Sequence, residues 1–338
     1  MYTPNQDFYG IIGQETDVDR TEVMEYIRQS MTFEIEGPTV LSLGKFDGLH
    51  RGHELLMQYM ARKKREVKGL KAAIFTFDIP PRERVQDIQA QVLTTGAEKE
   101  RLFASVGIDY VIEYPFTRQV MCMEPETFIY KIATACHVKY MVVGTDFHFG
   151  YKRRGDYRML RQFAAQYGYE VEVVDKIRED GRDISSTFVR EEIVAGNIEK
   201  ANRLLGYAFF VEGTVLHGRK MGEKILHVPT INLIPPEDKL LPPFGVYVTE
   251  TEWRGKRYPG ITNVGCKPTV EGENPIGVET HLFDVSQDLY GEKVRVSFLE
   301  HVREEQRFPS LEALKKQMQQ DIEYGKTYFN MGKGVQKN

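Results

Sequence analysis

The chain has 338 residues, of which 41% are hydrophobic and 28% charged, with a formal net charge of −4. That length exceeds one ordinary core and predicts two domains, while the near-neutral balance gives no global pull toward nucleic acid or an anionic membrane, so any anionic ligand must be held by local groups. Three cysteines (Cys122, Cys136, Cys266) without metal-ligand spacing argue against a disulfide framework or zinc site, and with no legible export signal or membrane-length apolar run they predict a reducing cytoplasmic setting.

Residues 1–32 read as an extension, with a short helical character and no legible role. From residue 33 to 206 short β-like runs alternate with helical ones: PTVLSLG, ELLMQYMARKKREV, KAAIFTF, EKERLFASVG, DYVIEYP, PETFIYKIATAC and YMVVGT. This alternation predicts βαβ units and a parallel sheet, because parallel neighbours need a crossover long enough to hold a helix. From residue 207 to 330 the pattern changes to Val-, Thr-, Tyr- and Phe-rich runs broken by Gly and Pro, among them FFVEGTVLH, FGVYVTE, YPGITNVG, GVETHLFDV and EKVRVSFLE. These predict an antiparallel sheet or small barrel. A closing helix follows from Leu311, Leu314, Met318 and Ile322 at helical spacing, with Ser310 as its cap and a frayed tail behind it.

Two stretches carry candidate chemistry on their residues alone. In TVLSLGKFDGLHRGHELLM, apolar Val40, Leu41 and Leu43 precede a loop with Gly44, Gly48 and Gly52, and a helix is predicted from Glu54. Glycines allow sharp turns and close ligand approach, and unpaired N–H groups at a helix start favour phosphate, so His50 and His53 would face an anion there. A tight turn that merely carries histidine accounts for the same string equally well. Further on, Ser185, Ser186 and Thr187 offer hydroxyls or a cap, with Arg190 as a planar cationic fork one turn later. Capping alone explains these hydroxyls at least as readily as binding does. Asp146 follows a buried strand at the edge where α/β sheets bind ligands, or is an ordinary turn aspartate. Phe147, Phe149 and Tyr151 read as packing. In the second half, Thr230 and Asn232 are two apart, hence on one face if extended, and their neutral oxygens suit Mg²⁺ carried by nucleotide phosphates; a Pro-Thr turn with an Asn cap accounts for the same residues. Glu279, in an alternating strand, is a candidate proton acceptor at a barrel mouth or a plain surface glutamate.

The motifs together resemble the bifunctional riboflavin kinase/FAD synthetase family of bacteria. LGKFDGLHRGH resembles its GxFDGxHxGH opening, which holds the HxGH of nucleotidyltransferases; LTTGAEKERLFASVGID, VVGTDFHFGYKRRGD and ISSTFVREEIVAGNIEKANRLLG resemble later segments in the same order. GTVLHGRKMGEKILHVPTINL resembles the kinase loop and PTxN motif, and GITNVGCKPTV and GVETHLFDVSQDLYGEKVRVSF resemble TNxGxxPT and VExHxxDFxxDLYG.

The resemblance implies an α/β nucleotidyltransferase-like, Rossmann-like HxGH domain followed by a small antiparallel β-barrel kinase domain with a C-terminal helix. It implies ATP-Mg²⁺-dependent phosphorylation of riboflavin to FMN with Glu279 as base, then adenylylation of FMN to FAD with His50 and His53 stabilising charge. Gly44, Phe46, Asp47, Gly48, Gly52, Asp146, Ser185, Ser186, Thr187, Arg190, Gly218, Gly222, Asn263 and Arg303 would bind nucleotide or flavin, and Thr230 and Asn232 the metal. Departures from the family pattern stand at Lys45, where Asn is usual; at Ile79-Pro80-Pro81, near the expected Pro-His-Pro; at His148 and Phe188, where arginines are common; and at Leu226-His227-Val228 before PTxN. They leave two alternatives: a riboflavin kinase whose first domain is slow or altered, and a flavin-sensing protein without chemistry.

Overall fold

The computed structural model describes residues 24–78, 91–216, 230–266, 276–285 and 287–335. Gly218, Gly222, Ile79-Pro80-Pro81 and Leu226-His227-Val228 lie outside the described residues. The chain divides into two compact units, Met1–Ser186 and Thr187–Asn338.

In the first unit, strands β1 (Glu25–Arg28), β2 (Thr39–Leu43), β3 (Lys71–Phe77), β4 (Tyr110–Tyr114), β5 (Val138–Gly144) and β8 (Glu170–Val174) form a six-stranded parallel sheet in the order β1-β4-β3-β2-β5-β8. The predicted alternation therefore produced the parallel sheet. Every residue of central β2 is buried, and its two hydroxyls are satisfied on neighbouring backbone: Thr39 Oγ1 donates to Cys136 O at 2.7 Å and Ser42 Oγ to Val142 O at 2.9 Å. β1 corrects the sequence reading of the extension as helical: residues 25–28 pair with β4 as an edge strand. The chain runs outward from β2 through β3 to β4, then returns to β5 on the other side of β2. The order thus reverses between β2 and β5, and their carboxyl ends open the crevice where such sheets bind ligands.

Helices α1 (Arg51–Glu66), α2 (Gly96–Ser105), α3 (Arg118–Met121), α4 (Pro125–Ala135) and α5 (Tyr157–Tyr167) connect these strands. α1 buries Leu56, Met57, Tyr59 and Met60, the apolar stripe that the sequence shows. Two small hairpins, β6 (His148–Phe149) with β7 (Gly155–Asp156) and β9 (Arg178–Glu179) with β10 (Arg182–Asp183), decorate the loops after β5 and β8.

The second unit contains α6 (Ser186–Val194, its first residue belonging to unit one), α7 (Ile198–Leu205) and a six-stranded antiparallel sheet. Its strands are β11 (Phe210–Thr214), β12 (Thr230–Leu233), β13 (Gly245–Trp253), β14 (Lys256–Cys266), β15 (Ile276–Leu282) and β16 (Lys293–Glu304), in the order β11-β16-β13-β14-β15-β12. The sheet curls until a bridge between Leu216 and Asn232 ties its two ends together. The interior is lined by fully buried Val211, Tyr247, Val264, Val278, Val296 and Phe298. Polar interior positions pair among themselves, with Thr262 Oγ1 at 2.7 Å from Thr249 Oγ1 and 2.8 Å from Thr280 Oγ1. Helix α8 (Leu311–Val335) is capped as predicted, Ser310 Oγ accepting from Ala313 N at 3.1 Å. It departs from expectation twice: Leu311 is exposed, and the helix continues through Met331–Val335, which the sequence presents as a frayed tail. Ile322, Tyr328 and Phe329 dock it on Val246, Val248, Ile261 and Phe283 of the sheet's outer face.

Candidate active sites

The loop after β2 is built around strain and close approach. Phe46 is buried with φ 48° and packs its ring 5.0 Å from that of His53 and 5.7 Å from Phe103. Gly44 is required beneath it, since a Cβ there would lie 2.9 Å from Phe46 Cε2. Phe46 is therefore the floor of the site. Asp47, 1% exposed, accepts from Leu93 N at 2.9 Å and Thr94 N at 3.1 Å through Oδ1, and its carbonyl accepts from Ser186 Oγ at 2.8 Å. Gly48, with φ 77°, donates its N–H to Thr94 Oγ1 at 3.2 Å. These contacts join the LTT and ISST segments to the histidine loop, so Asp47 and Ser186 hold its shape.

α1 begins at Arg51, three residues before the predicted Glu54. The reason is a histidine cap: His50 Nδ1 accepts from Gly52 N at 3.1 Å, and His53 N donates to His50 O at 2.7 Å. This corrects the expectation of open amides at the helix start, because those two N–H groups are spent within the loop. What the site presents instead is a pair of imidazoles stacked at 3.9 Å between centroids and 25° between planes. Burial holds His50 well below its ordinary pKa, with His53 beside it adding to the effect, and burial pushes His53 down to about 3. Both rings are neutral near pH 7. Since His50 Nδ1 accepts, its proton sits on Nε2, which is the donor available to a ligand oxygen. His53 Nδ1 is sealed from solvent without a hydrogen-bond partner among the described residues.

Across the crevice, Asp146 follows β5 and is exposed, its carboxylate 3.0 Å from Lys176 Nζ. Lys176 follows β8 and also reaches Asp183 at 3.2 Å; these carboxylates hold its ammonium above the usual lysine range against the opposing effect of burial. Lys176 escaped the sequence reading because a lone lysine after a strand has no motif; the signal available was its position at the carboxyl edge one strand beyond Asp146. Arg51 pairs with Glu179 at 2.8 Å, tying the start of α1 to the β9–β10 hairpin. Ser185 is half-buried. Thr187 is exposed and Arg190 half-buried on α6, within the second unit. Phe147 and Phe149 stack at 5.6 Å, and Phe149 packs on Phe128, in keeping with packing rather than ligand stacking.

The departures have structural counterparts. Lys45 is exposed on the loop following β2. Phe188 is 3% exposed, with Lys200 Nζ 5.0 Å from its ring centroid, so it belongs to the packing of its unit. His148 is exposed, and Arg153 Nη2 stands 3.4 Å from its Nδ1. A guanidinium therefore stands beside the histidine where the family more often carries an arginine.

In the second unit, strand pairing assembles the candidate residues. Asn232 faces Glu279 across β12 and β15, and Glu279 faces Asn263 across β15 and β14. Thr230 Oγ1 donates to Glu279 Oε1 at 2.8 Å. Alternation puts these side chains on the face opposite buried Val278 and Thr280. This is a correction: Glu279 lies half-buried on the outer face rather than pointing into the barrel. His281, opposite Thr230, shares that face as expected. Asn232 is buried, Asn263 exposed, and Arg303 is paired with Asp321 of α8 at 2.7 Å. Among the described residues no group of three or more His, Cys, Asp or Glu forms a metal site. The hydroxyl, amide and carboxylate oxygens of Thr230, Asn232 and Glu279 are hard donors and fit Mg²⁺, which keeps several waters and takes its other oxygens from substrate phosphates.

Residues 32–188 match the family model for FAD synthetase, and residues 205–329 that for riboflavin kinase. The bifunctional riboflavin kinase/FMN adenylyltransferase of Escherichia coli is 36% identical over 87% of this chain and 94% of its own. That of Listeria monocytogenes is 33% identical over 86% of this chain and 92% of its own. A solved structure described as a macrolide-efflux protein from Streptococcus pneumoniae superposes with a TM-score of 0.79 at 28% identity, covering 88% of this chain and 97% of that one. No helix among the described residues of the present chain is long and apolar enough to cross a membrane.

Proposed function

The chain belongs to the bifunctional riboflavin kinase/FMN adenylyltransferase family, and from that premise we propose which of its residues carry each of the two activities. It is an enzyme that phosphorylates riboflavin to FMN and adenylylates FMN to FAD, with ATP as donor in both steps. The alternative of a flavin-sensing protein without chemistry is set aside by this membership.

The kinase step belongs to the Asn232–Glu279–Asn263 face. The terminal ribityl hydroxyl attacks the γ-phosphorus of ATP, Glu279 takes the hydroxyl proton, the new O–P bond forms, and the bond to the β-phosphate oxygen breaks to release ADP. Thr230, hydrogen-bonded to Glu279, holds the carboxylate in place. Thr230 and Asn232 would hold Mg²⁺, which when bound neutralises charge on the phosphates. The register that sets Glu279 between two asparagines, with Thr230 on its carboxylate, is the observation that carries this assignment.

The adenylyl step belongs to the loop after β2. An FMN phosphate oxygen attacks the α-phosphorus of a second ATP and pyrophosphate leaves. His50, donating through Nε2–H, and His53 stabilise the charge that develops on the transferring phosphoryl oxygens. Lys176, held by Asp146 and Asp183 at the carboxyl edge of the sheet, is the cation assigned to this half, where both imidazoles are neutral. Gly44 and Gly52 permit the loop's close packing, while Asp47, Gly48 and Ser186 fix its path. Asp146 and Ser185 complete the nucleotide- and flavin-binding set of the first unit, and Arg303 and Asn263 bind flavin in the kinase half. A cytoplasmic setting, where ATP and reduced cysteines coexist, is the one these substrates favour.

Glu279→Gln tests the kinase assignment. The variant is expected to lose FMN formation by at least about a hundredfold while still converting supplied FMN to FAD. Normal FMN formation by the variant would refute the base.

A further inference from the structure

The outer face of the barrel gathers more than the kinase carboxylate. Asn232 faces Glu279, Glu279 faces Asn263, Asn263 faces Val246, and Val246 faces Arg303, so adjacent strands β12, β15, β14, β13 and β16 each contribute to one continuous row. Arg303 reaches this row through two irregularities. Counting back without interruption from the Thr249–Phe298 pair would set His301 opposite Val246. Shifts between Val248 and Thr249 and between Val246 and Tyr247 insert Leu299 and Val302, and bring Arg303 there instead. Bulges of this kind re-aim side chains beside functional sites.

The arginine is then clamped from helix α8. Its Nε donates to Asp321 Oδ1 at 3.0 Å and Oδ2 at 3.2 Å, Nη2 donates to Oδ2 at 2.7 Å, and Nη1 donates to Glu304 O at 3.0 Å. Asp321 is only 5% exposed and is itself fixed by Gln317 Nε2 at 2.9 Å. A carboxylate so buried is costly unless paired, and the pairing takes the side edge of the guanidinium. Among the described residues one N–H on each terminal nitrogen remains unspent, a fork suited to carbonyl or other oxygen acceptors at the edge of a planar ligand. Three strand spacings, roughly 14 Å, separate Glu279 from Arg303 along the row. Val246 between them is covered by α8, so a substrate with its reacting hydroxyl at one end and oxygen-bearing rings at the other would span that distance beside the helix.

We propose that Asp321 is a positioning residue of the kinase site, acting through Arg303: the C-terminal helix aims the guanidinium at the oxygen-bearing ring edge of riboflavin. This rests on the assignment of Arg303 to flavin binding made above. The test compares Asp321→Asn, Asp321→Glu, Arg303→Ala and the Asp321→Asn/Arg303→Ala pair in the full chain, varying riboflavin at saturating ATP. Thermal melts identify any variant whose second unit has unfolded. Asp321→Asn is expected to raise the riboflavin KM about tenfold, as loss of a charge-assisted contact does, with kcat little changed. Asp321→Glu keeps the charge and restores most of the affinity, and the double variant is no worse than Arg303→Ala alone. The proposal is overturned if Arg303→Ala raises KM while Asp321→Asn does not, if the two effects multiply in the double variant, or if kcat falls in place of affinity. Should Asp321→Asn unfold, a folded Asp321→Glu variant with unchanged KM supports the proposal, and one with weak riboflavin binding overturns it. An unchanged KM in Arg303→Ala instead removes the flavin assignment on which the proposal stands.

Discussion

Gly52 lies between the two histidines of the proposed adenylyl site because nothing larger fits against the His50 ring at that position. A Cβ at this position would come within 2.9 Å of His50 Cε1 and Nδ1 and 3.0 Å of Ile184 O. The histidine ring caps the helix from on top of the glycine, so Gly52→Ala must displace it. Misplacing a reacting group by about 1 Å costs on the order of a hundredfold. We expect adenylylation of supplied FMN to fall by roughly that factor and riboflavin phosphorylation to stay unchanged, which parallel assays of the two half-reactions will read. The same burial sets a pH dependence. Both histidines have folded-state pKa values below the ordinary 6.5, that of His53 at about 3, so below pH 6.5 the unfolded chain binds protons that the folded chain refuses. Their contribution is intact above pH 6.5 and is lost as pH falls from there, in the case of His53 down to about 3, at up to about 1.4 kcal/mol per pH unit for each histidine. The urea midpoint should drop between pH 7 and 5, and His53→Ala should flatten that slope; equal slopes would refute the linkage. At this scale the motif letters were legible while their division of labour was not. The sequence marks Asp47, Gly48 and Ser186 as binding residues, but their hydrogen bonds run to partners 46 to 139 residues away, and no local pattern encodes such distant pairs.

Elements with a strong period were the ones the sequence disclosed. The buried run of β2, the stripe of α1 and the alternation of β15 all carry their own repeat. The two-residue strands β6, β7, β9 and β10 have no period to detect, and β1 is recognisable only by its pairing with β4. The bulges of β16 hide for a further reason: an inserted residue shows only against the partner strand. Helix α8 shows how docking overrides local preference. Gly325 costs about 1 kcal/mol in a helix interior relative to alanine, yet a Cβ there would meet Phe283 Cζ at 2.8 Å and Ile261 Cδ1 at 3.4 Å. The glycine lets the helix approach the sheet closely. Gly325→Leu should therefore lift α8 from the outer face, destabilise the second unit by about 1–3 kcal/mol and weaken kinase turnover or riboflavin affinity. Adenylylation of supplied FMN should persist. Denaturant melts followed by both half-reaction assays will decide, and a variant as stable and active as the parent would show that the contact is not tight.

For the molecule as a whole, the division at Ser186 and Thr187 separates the residues proposed for the two steps. His50 and His53 stand in one unit; Thr230, Asn232, Asn263, Glu279 and Arg303 stand in the other. The change from alternating elements to consecutive strands made a two-part plan visible in the sequence, because helix and strand periods differ, but it falls at 206/207, whereas α6 from Thr187 onward and α7 group with the second unit. The two reactions share an intermediate that, in the mechanism proposed, is never bonded to the protein: FMN is product in one unit and substrate in the other. A chain carrying Glu279→Gln should then make FAD only from supplied FMN, and a chain carrying His53→Ala should stop at FMN. Mixed in solution with riboflavin, ATP and Mg²⁺, the two variants should complement each other and form FAD, after a lag in which FMN first accumulates. Chromatographic time courses of both flavins measure this directly. If the mixture builds up FMN and forms no FAD although each variant retains its own half-reaction, the intermediate passes within a single chain and is not exchanged through solution.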